Sequence, residues 1–168
     1  MRLILFLFLA FAPAAHAQGE VAFFGLHLED SSDQTTQSSA LMSEGPDEAD
    51  LARVTMLEGM LAERFEAEGY TLLDLAPVAE ELERVSNPAS CYGCDIRMAE
   101  TLGAEFILVG KINMVSPVLV SIAVQLKDAG SGEIVKGGSV SVRGSADEIW
   151  ARGMRQILKN RIFREEDT

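Results

Sequence analysis

FILVGKINMVSPVLVSIAVQLKDAGSGEIVKGGSVSVR, residues 106–143, holds three strand signals in quick succession. The first, FILVG (106–110), is an unbroken apolar run of strand length, as suits a strand covered on both faces. It continues into the more alternating Lys111-Ile112-Asn113-Met114. After Pro117 the alternation is cleaner. Val118, Val120, Ile122, Val124 and Leu126 point one way, and Ser121, Ala123, Gln125 and Lys127 the other. The turn DAGSGE (128–133) leads into a partner strand, IVKGGSVSVR (134–143), whose Gly137-Gly138 pair suggests a bulge. Such short connections favour an antiparallel meander.

Upstream, VAFFGLHL (21–28) is a second continuous apolar run and predicts a central strand parallel to 106–110, because helical crossovers separate the two. Residues 29–46, EDSSDQTTQSSALMSEGP, have no period to bury and read as a mobile polar loop. A helix follows, capped by Asp47, with Leu51, Val54, Leu57, Leu61 and Phe65 at helical spacing and Gly69 as its stop. YTLLDL (70–75) reads as a short strand and PVAEELERV (77–85) as a second helix. Residues 86–94 form a Cys-containing turn, and Asp95–Leu102 a third helix with Ile96, Ala99 and Leu102 on one face. In the last helix Ser145 and Glu148 have capping-box spacing, and Trp150, Met154, Ile157, Leu158 and Ile162 form the apolar stripe. The expected order is β-α-β-α-α-β-β-β-α: an α/β fold in which a mixed five-stranded sheet is packed with helices.

The first residues, MRLILFLFLAFAPAAHAQ, combine Arg2, an apolar run from Leu3 to Ala12, and small residues at Ala15 and Ala17. That is the pattern of a cleavable secretory signal peptide over 1–17, too short to span a bilayer. No cysteine follows the apolar run, so the expectation is a periplasmic protein with no membrane anchor. Cleavage of 17 from 168 residues leaves 151, read as one α/β domain over 18–168, and loss of Arg2 moves the formal charge from −12 to −13. A body this acidic repels phosphate backbones and anionic head groups, so nucleic acid is excluded as an expected partner.

Cys91-Tyr92-Gly93-Cys94 holds the only two cysteines. In an oxidising compartment a disulfide is their default state. Three readings stand: a local structural bridge, a redox pair placed before a helix whose dipole lowers a thiol pKa, or part of a metal site. Zinc wants four ligands and finds no second C-x-x-C or nearby His, and Asp95 stands where haem attachment requires His. His27, followed by Glu29, Asp30 and Ser31, could join a metal or small-ligand site, or simply satisfy a strand end. No nucleophile elbow or phosphate-cradling glycine loop is present, so neither catalytic residues nor a cofactor is expected. Candidate protein contacts are Glu29, Asp30, Ser31, Tyr92, Arg143 and Trp150, the tryptophan also reading as a core anchor.

VAFFGLHLEDSS, the C-Y-G-C pair, AETLGAEFILVGKINMVS and GSVSVRGSADEIWARGM together resemble a family of secreted bacterial proteins of unknown function, often encoded beside periplasmic quinoprotein alcohol dehydrogenases. The resemblance spans nearly the whole mature chain. Its most specific parts are the Cys pair and the block from Val142-Arg143-Gly144 to Trp150. More distantly, Glu68–Asp74, Leu102–Gly110 and Ser131–Val135 are similar to a superfamily of envelope modules. It includes the N-terminal domain of the Tol propeller protein, the curli secretion lipoprotein and activators of peptidoglycan synthases. These resemblances imply a non-catalytic accessory or adaptor that binds another envelope protein, one of a quinoprotein alcohol dehydrogenase system in the finer version. A thiol-disulfide protein using Cys91 and Cys94, or a binder of metal or small ligand, are the alternatives.

Overall fold

The strands β1 (Gly19–Asp30), β2 (Tyr70–Leu72), β3 (Phe106–Ser116), β4 (Leu119–Asp128) and β5 (Ile134–Arg143) lie side by side in the order β2-β1-β3-β4-β5. The computed structural model describes residues 18–31, 47–116 and 118–164, so the expected leader and residues 32–46 of the expected loop lie outside the described residues. β1 pairs in parallel with both β2 and β3, while β3, β4 and β5 form the antiparallel meander. Element order and the mixed sheet therefore match the sequence reading.

Two helical layers cover the sheet. On one face α1 (Glu48–Ala67) and α4 (Asp147–Ile157) bury Leu57, Leu61, Phe65, Trp150, Met154 and Ile157 against Leu108, Ile112, Ile122 and Leu126. On the other, α2 (Ala79–Glu83) and α3 (Cys94–Leu102) enclose a smaller cluster with Ala22, Phe24, Ile107 and Val109. Alternation along β4 explains the asymmetry. Val120, Ile122, Val124 and Leu126 are buried, and Ser121, Ala123, Gln125 and Lys127 are only half-buried. After α4 a π-type turn, Leu158–Ile162, brings Phe163 edge-on to Phe65, ring centres 4.9 Å apart.

Parallel pairing of β1 with β3 is interrupted between Phe23 and Leu26, where β1 carries one extra residue. Gly25 takes φ +83° there, a conformation that L side chains rarely adopt. The bulge diverts the Leu26 N–H from the ladder, and it donates to Glu58 Oε1 of α1 at 2.8 Å. A helix carboxylate thus completes a strand defect.

Several local expectations are corrected. Glu29 and Asp30 belong to β1, not to a loop. The buried arc of α1 runs Asp50, Val54, Leu57, Leu61, Phe65, and Leu51 faces solvent. Asp50 is tolerated inside because Arg53 bonds it at 2.7 Å. β2 ends at Leu72, since Asp74 takes the Ala76 N–H at 3.0 Å and turns the chain into a 3-10 turn, Ala76–Val78. The helix expected over 77–85 is split accordingly, with its regular part at Ala79–Glu83. Val118 is exposed because β4 begins one residue later. The buried set of α3 is Cys94, Asp95, Met98 and Ala99, with Ile96 and Leu102 at its flanks.

The irregularity in β5 falls at Val135, because Ile134 pairs with Lys127 and Lys136 with Leu126, whereas Gly137 and Gly138 stay in register. Gly138 is small for another reason: a Cβ there would sit 2.6 Å from the Cβ of Arg161. The capping box of the last helix does not form. Ala146 is the N-cap, so Ser145 lies one residue too early, and Glu148 reaches instead to Arg155 at 2.5 Å.

Candidate functional site

The smaller helical layer ends at Phe24 and Val109, and beyond them the same sheet face carries polar side chains with no helix over them among the described residues. Register sets these side chains in rows. His27, Lys111, Ala123 and Ser139 form one row, and Glu29, Asn113, Ser121 and Ser141 the next. All are half-buried or exposed. Lys111 Nζ pairs with the Glu29 carboxylate, and Ser31 Oγ donates to Asn113 Oδ1. With strands ~4.8 Å apart, the surface spans about 14 Å from β1 to β5.

The Cys turn packs on the covered part of this sheet face, where Cys91 and Cys94 join the cluster of Phe24, Ile107 and Val109. Pro88–Ser90 forms a 3-10 turn capped by Asn87 Oδ1 on the Ala89 N–H at 3.0 Å. Cys91 and Cys94 follow, joined as a disulfide with Cα atoms 5.7 Å apart. The Asp95 N–H points at Cys91 Sγ, 3.3 Å away, and Lys127 Nζ of β4 meets Asp95 Oδ2 at 2.8 Å. Asp95 is only 2 % exposed, so this ion pair works in a medium of low polarity. Tyr92, between the cysteines, has a relative exposure of 103 %. A braced turn thus presents an amphipathic ring that no other described residue covers, and such rings are enriched among residues that carry binding energy.

The candidate contacts separate in space. Glu29, Ser31 and Arg143 lie at one end of the sheet, Arg143 sharing the face of Ser139 and Ser141. Asp30 pairs in register with Met114 and belongs to the opposite face. Trp150 is fully buried, with Arg53 stacked over its ring at 5.7 Å, so the indole offers no surface to a partner. Physically, the large apolar ring completes the core stripe of α4. Its Nε1 has no acceptor among the described residues. His27 lies beside Lys111, a cation, in the polar row. Among the described residues no group of three or more His, Cys, Asp or Glu is placed to hold a metal.

Sequence reading passed over Lys111, Asn113, Gln125, Ser139 and Ser141. The signal was there, because the polar half of each alternating strand falls on one side. What it lacked was knowledge of which side the helices leave bare.

At the β4–β5 turn Asp128 Oδ1 accepts from Ser131 Oγ and from the Ser131 N–H, both at 2.8 Å. These bonds hold its carboxyl below the usual range. Tyr70, half-buried beneath Phe65 and Phe163, is pushed up, chiefly by burial and then by Glu68.

The model of the family described as "Protein of unknown function (DUF2380)" matches residues 19–162. The fold is similar to the LpoB C-terminal domain from Salmonella enterica, with 18 % identity, a TM-score of 0.52, and coverage of 79 % of this chain and 87 % of that one. It is also similar to lipoprotein GNA1162 from Neisseria meningitidis, with 16 % identity, a TM-score of 0.50, and coverage of 84 % and 97 %. No curated protein matches the sequence. Among the described residues no helix is long and apolar enough to cross a membrane.

Proposed function

The chain belongs to the family described as "Protein of unknown function (DUF2380)", and on that premise we propose that it is a non-catalytic periplasmic adaptor whose disulfide turn and bare sheet face bind another envelope protein. The observation that carries this reading is Tyr92, fully exposed on a turn held by the Cys91–Cys94 bridge and the Asp95–Lys127 ion pair. Placing an aromatic ring in water on a braced turn has a physical use when a partner later covers it, since the ordering entropy of the turn's backbone has already been spent in folding. The leader-like pattern of residues 1–17 and the likeness to a lipoprotein support an envelope setting. In its finer form the partner belongs to a quinoprotein alcohol dehydrogenase system, a proposal that rests on the family resemblance of the sequence.

The test is affinity capture of the exported protein from its native periplasm, wild type beside Tyr92→Ala. A discrete partner held by wild type and weakened at least tenfold by Tyr92→Ala supports the reading, because exposed aromatic anchors carry ~2 kcal/mol or more. Equal capture by both proteins, or none by either, overturns it.

The redox alternative keeps one favourable observation: the Asp95 N–H aimed at Cys91 Sγ is the kind of contact that steadies a thiolate. Against it stand the burial of Cys94 and the Asp95 carboxylate in the same place, a negative charge that disfavours a second one. A reduction potential below about −300 mV, measured against a thiol buffer, fits a structural brace, and one near −200 mV fits a reagent.

A further inference from the structure

The chain carries a formal charge of −12, yet residues 134–164 hold seven of its fourteen Lys and Arg and two of its twenty-six Asp and Glu, a local balance of +5. These residues build β5, α4 and the π-type turn after it. Lys136, Arg161 and Arg164 line one groove beside the outer edge of β5, together with Asn160, and none of the three cations has an ion pair among the described residues. β5 is ten residues long and, among the described residues, forms an outer edge of the sheet, opposite a β2 of three residues. Ile134 and Val135 on it are 55 % and 51 % exposed. A long open edge presents unpaired main-chain N–H and C=O groups, which natural proteins ordinarily blunt or use. Gly137 and Gly138 strip side chains from its middle, and glycine within a strand marks places where another backbone approaches closely. Gly138 also lets the stem of Arg161 lie against the strand.

We propose that the β5 edge accepts an acidic, extended segment of a partner protein as a sixth strand, with its carboxylates on Lys136, Arg161 and Arg164. This rests on the reading of the chain as a protein-binding module and names the chemistry of the partner. An edge strand needs another peptide backbone to satisfy its ladder, which nucleic acid does not supply. Elsewhere the acidic surface repels the same segment, so the basic groove directs it to one place. A second copy of the chain would set like charges against one another along the paired edges.

The probe is a fluorescent ten-residue peptide alternating Glu with Thr and Val, measured by anisotropy against the full mature chain at 20 and 200 mM NaCl. A control has Lys in place of Glu, and another is N-methylated at alternate backbone nitrogens. Binding of the acidic peptide alone, weakened at least tenfold by salt, by N-methylation, and by Lys136→Glu/Arg161→Glu/Arg164→Glu in a protein of unchanged circular dichroism, supports the site. Slowed amide exchange confined to β5 locates it. Acidic-peptide binding that survives N-methylation or the triple reversal overturns it, as does a concentration-dependent dimer that protects β5. No peptide binding, with Tyr92-dependent capture intact, overturns this site and leaves the adaptor reading in place. Loss of both overturns both.

Discussion

At the residue scale the most consequential contact is between Lys127 and Asp95. It ties the first turn of α3 to β4 and thereby fixes the Cys turn from below. Replacing the ammonium with a group of similar shape, Lys127→Met, leaves a carboxylate buried and unpaired, so stability falls by about 3–5 kcal/mol in urea unfolding. The double replacement Lys127→Met/Asp95→Leu recovers much of that loss, because no charge is then stranded. Asp128 gives a pH test of the opposite kind. Its carboxyl lies lower in the folded protein than in the unfolded chain, so the protein binds that proton less readily than the unfolded chain does. Its contribution is fully present above the unfolded value of about 3.9 and disappears as pH falls through the lower folded value. Carbon-detected NMR of the side chain should show a midpoint below that of a model peptide, and Ser131→Ala should raise it.

At the element scale the lesson concerns which features are local and which are imposed from outside. Apolar runs at 21–28 and 106–110 and the alternation after Pro117 are properties of the chain itself, and the parallel pair of β1 with β3 and the meander follow from them, whereas the place of β2 beside β1 does not. The bulge at Gly25, the burial of Asp50 and the absence of a Ser145 cap depend on Glu58, Arg53 and the true start of α4. These are tertiary partners that no window along the sequence contains. The candidate site divides the same way. Tyr92 was legible because two cysteines flank it, whereas the polar rows of β3, β4 and β5 became a surface only when helices covered one half of that sheet face. Glu58→Ala strands the Leu26 N–H at the bulge, an unsatisfied donor that costs about 1–3 kcal/mol. Hydrogen exchange at Leu26 should quicken more than at Leu108 in that variant. Removing both sulfurs, Cys91→Ser/Cys94→Ser, reopens only a short loop and should cost ~2 kcal/mol while circular dichroism stays native. The change in amide exchange should concentrate in residues 86–94.

At the scale of the whole molecule, covering is unequal among the described residues: one sheet face is sealed by α1 and α4, and the other is sealed for only part of its length. The disulfide turn packs into the covered part, and Lys136, Arg161 and Arg164, without an ion pair among the described residues, gather beside the edge of β5. A body built only to be stable would gain by extending its second layer; leaving polar rows and one bare aromatic ring in water makes physical sense when something else completes them. Placing a photo-crosslinking phenylalanine analogue at Tyr92, at Ser141 on the bare face, and at Glu63 on the outer side of α1 tests this most directly in the exported protein. Discrete protein adducts of one mass at 92 and 141, absent at 63, are the expected result. No adduct at 92 and 141, or the same adducts from all three positions, would contradict a partner-binding face on this protein.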